Sequence, residues 1–174
     1  MKALLEAMEH DSLVKMKKLL EAGLDLSKEV IIGDEYALDE PDEIGILFYA
    51  IRTHASLEAI ELLLAYGVDI HALDGDKVSA LDTAIKFKRL DVVRLCIQQG
   101  SDLNTTQRRS GILPLQLTAC FGDIELATLL LDQGAKINAT DKNGITAKDY
   151  AKKMGQKKME AFLDQKGATF NLYA

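Results

Sequence analysis

Apolar residues recur along the chain in pairs of short helical bursts parted by a glycine, most clearly from Gly111 to Ile137. Leu115, Leu117 and Ala119 give a first helix its small and apolar positions. Pro114 opens it, because a first-turn residue has no intrahelical partner for its N–H. Gly122 breaks it. A second run, Ile124 to Asp132, carries Leu126, Ala127 and Leu129 to Leu131, and Gly134 stops it as a left-handed residue past a helix end does. Isolated helices under about 12–15 residues are marginal in water, so this pair has to lean on something similar.

Similar stretches lie on both sides, at Ser79 to Leu103 and at Thr146 to Gly167. The stop glycines Gly67, Gly100, Gly134 and Gly167 fall 33, 34 and 33 residues apart. A fixed period with a helix–turn–helix unit predicts an all-α solenoid in which neighbours bury each other's apolar faces. Five repeats are expected in one domain, over 1–26, 27–70 with an insertion, 71–103, 104–137 and 138–167, followed by a tail at 168–174. The first repeat carries Lys2, Glu6, Lys15, Lys17 and Lys18 and the last carries Lys157 and Lys158, the polar character of terminal repeats.

Gly111, Pro114, Leu115, Ala119, Gly122, Glu125, Leu129 to Leu131, Gly134, Ala135 and Asn138 match a Gly-x-Thr-Pro-Leu-His-x-Ala-Ala, Gly-His-Leu-Glu-Val-Val, Gly-Ala-Asp-Val-Asn pattern. On these residues the chain resembles the ankyrin repeat family over nearly its whole length. The resemblance implies a non-enzymatic module, a scaffold or an adaptor, that binds another protein through finger tips and the concave first-helix surface. An inhibitor or immunity-type protein that blocks an enzyme or toxin is the other reading. Departures are clear: repeat two reads Ile46-Leu47-Phe48-Tyr49 where the family has Thr-Pro-Leu-His, and the His position holds Tyr49, Asp82, Gln116 and Asp149. That leaves the usual polar network between repeats open. Ser79 and Thr146 are expected helix caps, whereas Leu113 in the same position cannot cap.

Between Gly23 and Gly67 the period is broken by an insertion of about 11 residues, roughly Ser27 to Glu43. Val30-Ile31-Ile32 and Tyr36-Ala37-Leu38, joined by Gly33-Asp34, suggest a hairpin. The acidic run Asp39-Glu40-Pro41-Asp42-Glu43 follows. Its apolar content argues that the insertion packs, either on its own repeats or on a partner.

Composition narrows the chemistry. Net charge −6 speaks against nucleic acid as a partner. No apolar run reaches a membrane span, and the N-terminal residues lack a signal-peptide pattern, so a cytoplasmic monomer without membrane contact is expected. His10, His54 and His71 have no metal-ligand spacing. Phosphate-loop, dinucleotide and nucleophile-elbow motifs are absent. No catalytic residue, cofactor or metal is expected. Cys96 reads as core and Cys120 as half exposed and inert.

The resemblance carries a partner-binding surface over to particular positions. Aligned on the period, His10, His54, Phe87, Phe121 and Met154 form one column near the end of each first helix, and Glu9, Thr53, Lys86, Cys120 and Lys153 form the one before it. The aromatics either fold down between helices or stand out as a contact patch, where aromatics and Met are enriched. The fingers add Asp34, Glu35 and Tyr36 in the insertion and Arg108 and Arg109 before repeat four. Residues 1–75 hold 16 acids against 6 bases, a net of −10, and residues 76–174 hold 11 acids against 15 bases, a net of +4. The acidic finger is therefore expected either to steer a partner with a basic patch or to serve only solubility.

Overall fold

The computed structural model describes residues 1–32 and 42–173. Contacts divide the chain into two compact units, residues 1–75 and 76–174. The described residues form five helix pairs: α1 (Lys2–Glu9) with α2 (Leu13–Glu21), α3 (Ile46–Arg52) with α4 (Leu57–Ala65), α5 (Ala80–Lys86) with α6 (Leu90–Gln98), α7 (Pro114–Phe121) with α8 (Ile124–Asp132), and α9 (Ala147–Lys153) with α10 (Lys157–Gln165). Every helix has seven to nine residues. The fold class is the all-α, ankyrin-type class expected from the period, with an enlarged finger between the first two pairs.

In residues 1–75, α2 packs on α4 and each first helix on its own second helix. Leu4, Ala7, Met8, Met16 and Leu20 face inward, while Lys2, Glu6, Lys15, Lys17 and Lys18 are exposed. The apolar replacement of the family motif in repeat two has a simple physical basis. In α3, Ile46 through Ile51 are all buried, so the helix has no polar side to maintain.

The finger hairpin is antiparallel but pairs differently from the expected 30–32 with 36–38. Strand β1 (Val30–Ile32) meets β2 (Asp42–Ile44), with Val30 opposite Ile44 and Ile31 opposite Glu43. Strand alternation explains the choice. Val30 and Ile44 are both buried, whereas Ile31 and Glu43 face outward. The Gly33-Asp34 turn and the segment Tyr36-Ala37-Leu38 lie outside the described residues, as do the rest of 33–41.

In residues 76–174, α5, α7 and α9 stand side by side, α7 packing on both of the others. Leu126, Ala127 and Leu130 of α8 and Val92, Val93 and Cys96 of α6 are buried. Ser79 and Asp82, and Thr146 and Asp149, form reciprocal caps across the first turns of α5 and α9. Leu113 offers no acceptor, so α7 keeps only the return half, in which the Leu113 N–H donates to Gln116 Oε1 at 2.8 Å.

The residues at the family's His position supply the polar network by other means. Buried Gln116 donates through Nε2 to the carbonyls of Ala139 (3.2 Å) and Ile145 (2.9 Å), which ties the following finger to α7. Asp149 accepts from the amides of Asn171, Leu172 and Tyr173, so the tail occupies the corresponding place on α9. A second ladder uses asparagine: Lys136 N–H donates to Asn104 Oδ1 and Thr169 N–H to Asn138 Oδ1. In the first unit, Tyr49 instead donates its hydroxyl to Glu9 Oε1 at 2.9 Å. Burial tends to raise the Asp149 carboxyl, but the Thr146 bonds and the tail amides outweigh it and hold the group below the usual carboxylate range.

Leu130 is fully buried, and Leu130→Ala should cost roughly 2–5 kcal/mol in a urea melt; a change within about 0.5 kcal/mol, ordinary for surface positions, would contradict this packing. Asp149 has a depressed folded pKa, so its contribution is fully present above the unfolded value near ~3.9 and is lost as pH falls through the folded value. Asp149→Asn should therefore be less stable than wild type at neutral pH by about 1.5–3 kcal/mol, the worth of hydrogen bonds to a charged group. The gap should shrink progressively below about pH 4 in melts run over a pH series.

Candidate functional site

Each first helix ends by passing through one left-handed residue: Asp11, His54, Lys88, Gly122 and Gly155 have φ of 49, 57, 55, 67 and 68°. Gly122 is the sequence's own choice for such a position, and it has a second reason to lack a side chain, because a Cβ there would run into the Gln156 amide. The residues just before these turns are His10, Thr53, Phe87, Phe121 and Met154. The alignment on the period puts His54 in that column and Thr53 in the one before it. The structure shifts both by one, with Thr53 in the ladder, Arg52 behind it and His54 in the turn.

An extra residue causes the shift. The amides of Ser12, Ala55, Arg89, Asp123 and Gln156 close the same turn onto the carbonyls of Ala7, Ala50, Ala84, Thr118 and Ala151. In repeat two that residue is followed by one more, Ser56, which caps α4 through its hydroxyl. Counting along the glycine period cannot reveal where an added residue sits.

The exposure of the ladder is uneven. Phe121 and Met154 are 40% and 49% exposed, whereas Phe87 is half-buried. The outward-facing reading therefore fits Phe121 and Met154 better than Phe87. Lys86 and Lys153 are exposed, and Lys86 Nζ lies 5.8 Å from the centre of the Phe87 ring. Thr53 and His54, in the first unit, are exposed as well. Asp34, Glu35 and Tyr36 lie outside the described residues.

In the second unit the finger before α7 comes to the same place. Half-buried Cys120 feels the charges of Arg108 and Lys153. Burial pushes its thiol up to about 11 against the opposing pull of those two cations, so it is protonated at neutral pH and a poor nucleophile. Buried Cys96 is pushed up to about 12, again by burial. Arg109 reaches Asp76 at 3.2 Å, an exposed pair of small energetic weight. Its backbone carbonyl accepts from Lys142 Nζ. Lys142 joins the face without a distinct sequence signal, since Asp141 to Gly144 reads only as a turn. Its neighbour Asp141 builds that turn, accepting from the amides of Asn143 and Ile145 and from the Tyr150 hydroxyl at 2.7 Å.

A cleft of about 340 Å³ opens beside α10, lined by Lys148, Lys157, Glu160, Ala161, Asp164 and Phe170. Lys148 is satisfied within it by Asp164, the Ala168 carbonyl and the Phe170 ring at 4.3 Å. Among the described residues no group of His, Cys, Asp and Glu could hold a metal ion, and no helix is long and apolar enough to cross a membrane.

The model for ankyrin repeats, three copies, matches residues 84–174. A putative ankyrin repeat protein, FPV244, of fowlpox virus is 28% identical over 87% of this chain and 20% of its own length. The NF-kappa-B inhibitor cactus of Drosophila melanogaster is 29% identical over 58% of this chain and 20% of its own. The E3 ubiquitin-protein ligase Ufd4 of the same fly is 31% identical over 70% of this chain but only 4% of its own. The chain thus spans a fifth or less of each of these relatives, and the enzyme name belongs to a protein of which it matches a very small part. With paired helices at the expected spacing, left-handed turns after each first helix and a matching model over residues 84–174, the chain belongs to the ankyrin repeat family.

Proposed function

We propose that the chain is a non-enzymatic protein-interaction module that grips a partner through its finger tips and first-helix surface. The observation that carries this reading is the exposure of Phe121 and Met154 at successive positions of one ladder, beside Arg108 and Lys153. Large apolar side chains held in water at repeated positions cost free energy and are typical of contact surfaces. In residues 76–174, Lys86, Phe87, Arg109 and Cys120 are further contact candidates, and in residues 1–75 Thr53, His54, Asp34, Glu35 and Tyr36 are. The acidic finger, in a unit of sequence net charge −10, suits a partner with a basic patch.

The second reading is an inhibitor that covers an enzyme or signalling protein. The likeness to cactus, named as an NF-kappa-B inhibitor, favours it. Both readings place the protein in the cytoplasm as a monomer, and both use the same face.

Phe121→Ala combined with Met154→Ala should leave the melting temperature within about 2–4 °C of wild type, the shift expected for roughly 1 kcal/mol in a domain of this size. The same variant should capture the native partner at least about tenfold less well in affinity pull-downs quantified against wild type, the scale of a contact hot spot. Unchanged capture would remove this face from the interaction.

A further inference from the structure

Within residues 76–174 the charges are sorted by face. The acids that belong to the first helices and fingers are mostly consumed internally. Asp82, Asp141 and Asp149 are buried and accept hydrogen bonds at caps and turns. Asp76 pairs with Arg109. The acids Asp91, Glu125, Asp132, Glu160 and Asp164 lie on second helices. The first helices and fingers show more positive than negative charge to solvent: Lys86, Arg109, Lys142 and Lys153 are exposed and Arg108 is half-exposed, against the exposed acids Asp76 and Asp102. Among the described residues Lys86, Arg108 and Lys153 form no ion pair with an acid. Phe121 follows Cys120, which feels the charges of Arg108 and Lys153, and Met154 follows Lys153, while half-covered Phe87 lies beside Lys86.

We infer that this face takes an extended acidic segment of a partner protein, carboxylates meeting Lys86, Arg108 and Lys153 and apolar side chains meeting Phe87, Phe121 and Met154. The inference rests on the interaction-module reading above and adds the chemistry of what is bound. The geometry also sets a spacing. Packed helices lie about 8–10 Å apart and an extended chain advances about 3.3 Å per residue, so the segment gains one carboxylate and one apolar residue about every three positions. Protein is favoured over nucleic acid because the whole chain carries net charge −6, and repulsion at longer range opposes a polyphosphate more than a short acidic stretch.

The test is fluorescence anisotropy on the full chain with a labelled peptide of four Glu-Leu-Ser triplets, beside Gln-Leu-Ser and Lys-Leu-Ser counterparts. The expected result is that the glutamate peptide binds best and weakens as salt is raised. It should lose about tenfold in affinity when Arg108→Glu and Lys153→Glu are combined, the sum of two reversed surface pairs. Phe121→Ala should weaken both the glutamate and the glutamine peptides. Circular dichroism melts establish that the reversal variant is folded, and Arg108→Gln with Lys153→Gln provides a milder variant with the same expected direction. Equal binding of the glutamate and glutamine peptides, or no effect of either pair of substitutions, overturns the inference. So does displacement of the peptide by an equal concentration of single-stranded oligothymidine, or salt-sensitive self-association in light scattering that the reversal abolishes, which would make a second copy the occupant. If the Phe121→Ala, Met154→Ala variant loses its native partner while the charge reversal keeps it, the interaction module stands and the acidic ligand falls.

Discussion

Every helix in this protein depends on apolar surface shared with a neighbour. Helices of seven to nine residues are too short to persist in water by propensity alone. What holds them is burial on more than one side. Helix α7 rests on α5, α8 and α9 at once. Leu126 and Leu130 of α8 are fully or nearly fully buried although α8 has solvent along its other face. Because each contact is shared, the stability of one pair is partly a property of the next, and the sequence can drift at single positions while the period survives.

Sharing apolar faces positions the helices but leaves the fingers as irregular backbone with polar groups to satisfy. The network that does this is chemically tolerant. Gln116 reaches two carbonyls of the following finger, while Asp149 accepts amides of the tail. An amide that donates and a carboxylate that only accepts thus serve the same position by meeting opposite backbone groups. The strict residue at this site matters less than the presence of some group that can reach the next finger. Gln116 also recovers half of the capping bond that Leu113 cannot provide.

The repeat period, the stop glycines, the cap residues Ser79 and Thr146 and the break at Gly122 were legible because each is a local signal with a local cause. Three features were not. The hairpin register depends on which residues find cover: Val30 and Ile44 are buried opposite each other, and a nearer apolar run looks equally good on paper. The place of His54 depends on one added residue before α4, which leaves the glycine spacing ambiguous. Phe87 and Phe121 occupy equivalent positions yet differ in exposure, with the Phe87 ring lying beside the Lys86 ammonium of its own repeat. The hairpin register is decided by contacts made at a distance along the chain, the place of His54 by a single local residue.

The charge of the second unit shows how composition can mislead about a surface. A net of +4 from 15 bases and 11 acids looks nearly balanced. Yet three of those acids are buried and held by hydrogen-bond donors: Asp82 by the Ser79 cap, Asp141 by two amides and a phenol, and Asp149 by its cap and the tail. Carboxylates held by donors of this kind leave Lys86 and Lys153 of the same helices without an acid partner among the described residues. Burial of the acids at turns and caps follows from the repeat itself, because a finger requires acceptors for its exposed amides. A positive first-helix face is then a by-product of building fingers with aspartate, and it becomes selective only where apolar side chains such as Phe121 and Met154 stand among the cations.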